Sequence, residues 1–250
     1  MLLDAPWKWG VFLFTAVFTG LAKTGVQGVG SLTIPVYALL FGAKASTGII
    51  LPVICLADIS AIIYYRRSFR LDYVLKLLPW AVLGIGVAVA AGSLVSGEIF
   101  RQLMGMCILM GLIAMLIAKR YAGSSRGFGF LRPVLGMLTG FSALIGNASG
   151  PILSVYLLTT DLPKLFFVST GAWFALFQNT IKLPIQIFVW NNIPAGAWRL
   201  MLAAFPFVVF GGYLGTKAVN FLSERNFRTL VLSLTLLSTL MMVVYPYILS

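Results

Sequence analysis

Polar residues and glycine interrupt an otherwise apolar chain at matching places in its two halves. The first interruption is Lys23-Thr24-Gly25-Val26-Gln27-Gly28-Val29-Gly30, and the second is Gly146-Asn147-Ala148-Ser149-Gly150-Pro151. Around them the apolar runs Ile49–Tyr65, Leu77–Leu94, Leu103–Ala118 and Leu230–Tyr245 approach the ~20 residues with which a helix spans a bilayer. The pattern predicts an all-α polytopic membrane protein. Each half reads as an interrupted hydrophobic pair, 9–42 and 131–159, followed by three spans. These lie at 47–65, 74–95 and 100–118, then at 165–190, 197–220 and 227–247. The second arms of the pairs, Ser31–Phe41 and Pro151–Thr159, are short. At about 1.5 Å per residue they cover roughly half of a ~30 Å hydrocarbon core. Each pair is therefore expected to be a re-entrant or short helical hairpin.

Short matches recur between the halves in one order. Thr19-Gly20 matches Thr139-Gly140, Val36-Tyr37 matches Val155-Tyr156, and Phe100-Arg101-x-Leu103 matches Phe227-Arg228-x-Leu230. A common register argues for a diverged duplication, with repeats at 1–120 and 133–250 and a basic linker at 121–132. Three crossings per repeat make the second half inverted relative to the first, and charge tests this. Inversion puts Arg66, Arg67, Arg70, Lys76, Lys119, Arg120, Arg126, Arg132, Lys164, Lys217, Arg225 and Arg228 on the cytoplasmic side. Only Lys8, Lys44, Arg101 and Arg199 then lie outside, in keeping with the positive-inside bias. A parallel duplication moves Lys164, Lys217, Arg225 and Arg228 outside and weakens the bias. Both termini are expected to be external.

Composition narrows the function. Of 250 residues, 60% are hydrophobic and only 10% charged, where a soluble domain carries roughly 25%; the mean hydropathy is +0.99. The net charge of +12 sits in short loops between apolar runs, so it marks topology rather than a nucleic-acid surface. No cleavable secretory signal is read, since the stretch after Trp9 reaches the first polar break without an A-x-A-like site. Trp7, Trp9, Trp190 and Trp198 flank spans as interfacial anchors. Cys55 and Cys107 lie inside predicted spans and form no disulfide framework. The sequence has no histidine, which removes Ser–His and Cys–His dyads and His-ligated metals; neither metal nor cofactor is expected.

Breaks this deep in apolar sequence are costly unless something polar passes them. Broken helices in inverted repeats place a site near the midplane, where half-helix N-termini point at an anion. Gly28, Gly30 and Gly150 let backbone amides approach such a ligand, and Pro151 suits a first helical turn. One helix terminus contributes only about 0.3–2 kcal/mol to an anion, so two opposed termini with a lysine make the more credible site. Lys23, Gln27, Asn147 and Ser149 stand at the breaks. Gln178, Asn179, Lys182 and Gln186 form one polar face on the 165–190 helix, and a lysine mid-span costs about 2.5–3.5 kcal/mol. Asp58 is the only acid well inside a span, and the repeat register sets it opposite Asn179. It either pairs with a lysine or carries a coupling proton. Glycine and serine at the breaks also permit plain close packing, the reading preferred for Gly211-x-x-x-Gly215. Asp72, Glu98, Asp161 and Glu224 fall in loops, with topological or capping roles.

Over nearly its full length the chain resembles the TauE/SafE sulfite exporter family. The resemblance rests on a glycine-rich break followed by proline in each half, on Tyr65-Arg66-Arg67, and on Asn179-x-x-Lys182-x-Pro184. It implies secondary transport of sulfite, thiosulfate or an organosulfonate across the bacterial inner membrane. The partners expected are that small sulfur anion, a coupling proton or sodium ion, and membrane lipid. A homodimer is left open, and no nucleic acid is involved. Two other readings use the same residues: an anion channel, and an intramembrane Ser–Lys enzyme with Ser149 as nucleophile.

Overall fold

A computed structural model of the chain describes residues 3–25, 30–66, 68–95, 131–160, 162–227 and 229–231, together with 99, 100, 102, 103, 106, 107, 110, 113 and 233. Among these every regular element is helical: α1 (Pro6–Thr24), α2 (Gly30–Phe41), α3 (Ala43–Ile49), α4 (Leu51–Tyr65), α5 (Leu71–Leu94), α6 (Arg132–Gly146), α7 (Ser149–Leu158), α8 (Lys164–Pro184) and α9 (Gly196–Phe221). The expected spans at 100–118 and 227–247 and the linker at 121–132 lie largely outside the described residues.

Both interrupted pairs are helix–break–helix units. In the first, α2 folds back along α1, so that Thr19 bonds the Tyr37 hydroxyl at 2.9 Å and Phe12 packs on Tyr37 and Phe41. In the second, Asn147 takes a left-handed conformation (φ 54°), which asparagine tolerates better than most residues. Its amide donates to Ala143 and that of Ala148 to Ser142, closing the end of α6. The second helix starts at Ser149, two residues before Pro151.

The expected span 47–65 is not one helix. A turn of 107° separates α2 from α3, made at Gly42, whose φ of 86° suits glycine. A second joint falls at Ile50, between α3 and α4. Pro52 is the cause: it has no N–H for the preceding turn and disfavours helix in the residue before it. Among the described residues, α5 and α9 are long and apolar enough to cross a bilayer alone, and the bent α2–α3 pair has the composition of a third, broken span. α8, at 21 residues, is shorter than the 24 of α5 and the 26 of α9, and its polar face lowers its hydropathy. Pro184 then removes one backbone hydrogen bond, and the helix runs on as a wider π turn, Ile185–Val189, to Trp190.

The two halves interlock. α1 lies along α9, and α5 lies along α6. The contacts repeat in register: a Cβ on Gly20 would sit 2.0 Å from the Val208 carbonyl, and one on Gly140 would sit 1.9 Å from that of Ala81. Likewise Gly211 meets the Val17 carbonyl and Gly84 that of Met137, at 1.9 and 2.0 Å. Only glycine lets the backbones come this close. Gly215 completes the Gly211 stripe against Thr24 and Leu21, in agreement with the packing role expected for it. Helices α4 and α8 form the seam. Tyr65 accepts from Ser169, Asp58 from Asn179, and Thr47 from Gln186, a ladder that only an antiparallel pair can make. At one end of the seam, Glu224 accepts the Lys164 amide with both oxygens at 3.0 Å and so caps α8. Asp72 pairs with Arg70 nearby in sequence.

Candidate functional site

The breaks and the α4–α8 seam meet around one cavity. About 60 Å³ of it is open to the centres of water molecules, room for roughly four waters or one small oxyanion. The first turn of α2 contributes Gly30 and Thr33, and the start of α7 contributes Ser149, Gly150 and Leu153. No side chain caps α7, so the backbone N–H groups of its first turn lack intrahelical partners. Lys23, Asn147, Asn179 and Lys182 also line the cavity.

These polar side chains are wired together. Lys23 Nζ lies 2.7 Å from Asp58 Oδ1, and Asn179 Nδ2 donates to Asp58 Oδ2 at 2.6 Å. Lys182 Nζ donates to Asn147 Oδ1 at 2.6 Å and to Asn179 Oδ1 at 3.0 Å. Asn147 Nδ2 in turn reaches the Thr47 carbonyl at 3.1 Å. Asp58 is 0% and Lys182 1% exposed, and ions so placed persist only when partners replace their water. Asp58 has such replacement in a lysine and an amide. Lys182 has two neutral amide oxygens for an ammonium with three donors, which leaves one donor without an acceptor among the described residues.

Local sequence explains each placement. Residues 175, 179 and 182 fall on one face of α8 at helical spacing, and all three line the cavity. Asp58 and Asn179, which the sequence register sets opposite one another, bond directly across the seam. Asn147 does two jobs: its backbone makes the left-handed turn, and its side chain binds lysine and Thr47. Lys44, at the start of α3, donates to the Gly92 carbonyl at 2.8 Å and packs over Phe100 and Trp190.

Not every residue singled out from sequence reaches the cavity. Gln178 is buried but lies off the lining, and its Nε2 has no hydrogen-bond partner among the described residues; one step along the helix turns it away from the face that Asn179 presents. Gln27 and Gly28 lie outside the described residues. Gln186 belongs to a second polar cluster, donating to Thr47 Oγ1 at 3.1 Å and accepting from Asn192 at 3.2 Å. Thr19, Thr33, Thr47 and Asn192 were missed. Single threonines in apolar helices carry no sequence signal, because most of them bond their own backbone.

A sequence profile described as sulfite exporter TauE/SafE matches residues 12–242. The chain belongs to the TauE/SafE family. No curated protein and no solved structure gives a match. TauE/SafE proteins are sulfite exporters, a membrane transporter family, and the apolar helices fit that class. The TauE/SafE match covers both breaks, the seam and every residue of the cavity.

Proposed function

We propose that this protein is a secondary transporter of a small sulfur-containing anion, sulfite, thiosulfate or an organosulfonate, across the bacterial inner membrane. The anion binds in the cavity between the two breaks. Lys182 supplies charge, the N-termini of α2 and α7 supply backbone donors, and Asn147, Ser149 and Asn179 hydrogen-bond its oxygens. Lys23 assists, and Gln27 and Gly28 belong to the same break. The observation that carries this reading is the convergence of a buried lysine and two helix starts, one of them uncapped, on one small cavity. Such groups replace an anion's water shell without reorganising.

The carrier works by alternating access between two inverted repeats, 1–120 and 133–250. Supporting this, equivalent glycines make equivalent contacts in both halves, and the equivalent helices α4 and α8 run antiparallel. A cavity on the seam between two such bodies opens to either side as they rock. A proton or sodium ion is the coupling partner.

Lys182→Gln in proteoliposomes is expected to abolish sulfite and organosulfonate flux, and unchanged flux would discard the assignment. Counterflow separates carrier from channel, because only a carrier is accelerated by substrate on the far side. The Ser–Lys enzyme reading loses support from the hydrogen bonds of Lys182, which go to Asn147 and Asn179 rather than to Ser149.

A further inference from the structure

Charge accounting inside the cavity leads to a statement about which ionic form is carried; it rests on the anion site proposed above. Two ionisable side chains, Lys23 and Lys182, line the cavity, and a third, Asp58, is buried against Lys23 and Asn179 without lining it. Lys23 and Asp58 are in contact at 2.7 Å and cancel. Lys182 touches Asp58 only through Asn179, which donates to the carboxylate and accepts from the ammonium. With both lysines protonated and Asp58 ionised, one positive charge is left over, on a side chain that is almost fully buried. The other groups around Asp58 do not change the sum. Cys55, one turn away on α4, is a free thiol. Lys44 on α3 is bound to Gly92, and Lys217 on α9 packs over the Tyr213 ring.

We propose that Asp58 is a resident counter-anion that sets the charge of the transported species. The site accepts one negative charge, and a dianion enters only together with a proton on the Asp58 carboxylate. A monoanionic sulfonate completes the cluster as it stands, whereas a dianion leaves one buried negative charge unbalanced. A hydronium ion on the side of entry protonates Asp58: one of its O–H bonds breaks as the carboxyl O–H forms, water is left, Lys23 is freed, and the dianion meets two ammonium groups. Asp58 is thus a specificity-determining residue, acting on the anion through the charge of Lys23.

Methanesulfonate and sulfate test this, since each keeps one charge state across the usable pH range. Calorimetric titration of the purified protein is done in buffers of different ionisation enthalpy. Methanesulfonate is expected to bind without net proton uptake, and sulfate to bind with uptake of about one proton and more weakly as pH rises. Asp58→Asn leaves two uncancelled lysines, so the sulfate-to-methanesulfonate affinity ratio should rise on the order of tenfold or more and lose its pH dependence. The double variant Asp58→Asn with Lys23→Gln restores a single charge and should restore the preference for methanesulfonate. If Asp58→Asn does not fold, the wild-type titrations decide alone. Sulfate binding as tightly as methanesulfonate without proton uptake overturns the inference. So does an unchanged ratio in Asp58→Asn while Lys182→Gln still abolishes binding, an outcome that leaves the anion site standing. Failure of both anions to bind the wild-type protein removes the anion site and this inference with it.

Discussion

Asn147 shows how one side chain joins fold to chemistry. Its left-handed backbone ends α6, while its amide oxygen accepts from Lys182 and its amide nitrogen donates to Thr47. Separating the two roles is straightforward. Asn147→Gly keeps the turn but removes the nearer acceptor of a buried ammonium, and hydrogen bonds to charged groups contribute about 1.5–3 kcal/mol. A loss of stability in that range is expected in thermal unfolding of the purified protein. Asn147→Val should lose more, because a branched residue forced into this conformation costs about 1–2 kcal/mol in addition. Equal losses for both variants would show that the backbone conformation does not matter here.

The helices depend on glycine for their closest approaches. Gly20, Gly84, Gly140 and Gly211 each face a backbone carbonyl of the opposite half at a distance no Cβ allows. Backbone cannot yield as a flexible side chain does. Alanine at any of the four is expected to cost roughly 1–3 kcal/mol by overpacking, with the equivalent pairs Gly20/Gly140 and Gly84/Gly211 matching. Gly86, on α5 with open space around it, is the control. Alanine there should be neutral or stabilising by up to about 1 kcal/mol, the difference in helix propensity. Unfolding curves of the five variants check this, and a loss at Gly86 equal to the others would refute the packing account.

At the scale of the whole molecule, the seam and the cavity are lined by helices from both halves of the chain. In the proposed inverted topology the turns at Ser68 and at Ala195 face opposite sides of the membrane. Cys55 and Cys107 are the two native cysteines and both are removed first. Cysteine introduced in place of Ala195 should react with a membrane-impermeant maleimide in intact cells, and cysteine in place of Ser68 only after permeabilisation. Labelling of both from the same side would rule out inversion and the carrier model built on it.

By itself the sequence determined the helical class and where polar residues interrupt the apolar chain. Apolar runs, glycine and buried lysine have few physical outcomes in a membrane, and a break there must serve a polar group. The register between halves set Asp58 opposite Asn179, and the two meet at 2.6 Å. Tertiary structure decided what spacing along one chain does not encode. It joined Lys23 to Asp58 across helices, turned Gln178 off the cavity, and brought Thr47, Gln186 and Asn192 into one cluster. Hydrophobic pattern fixes which face of a helix is buried. Which polar atoms on that face touch depends on crossing angles and close approaches, and those are set by contacts between residues far apart in sequence.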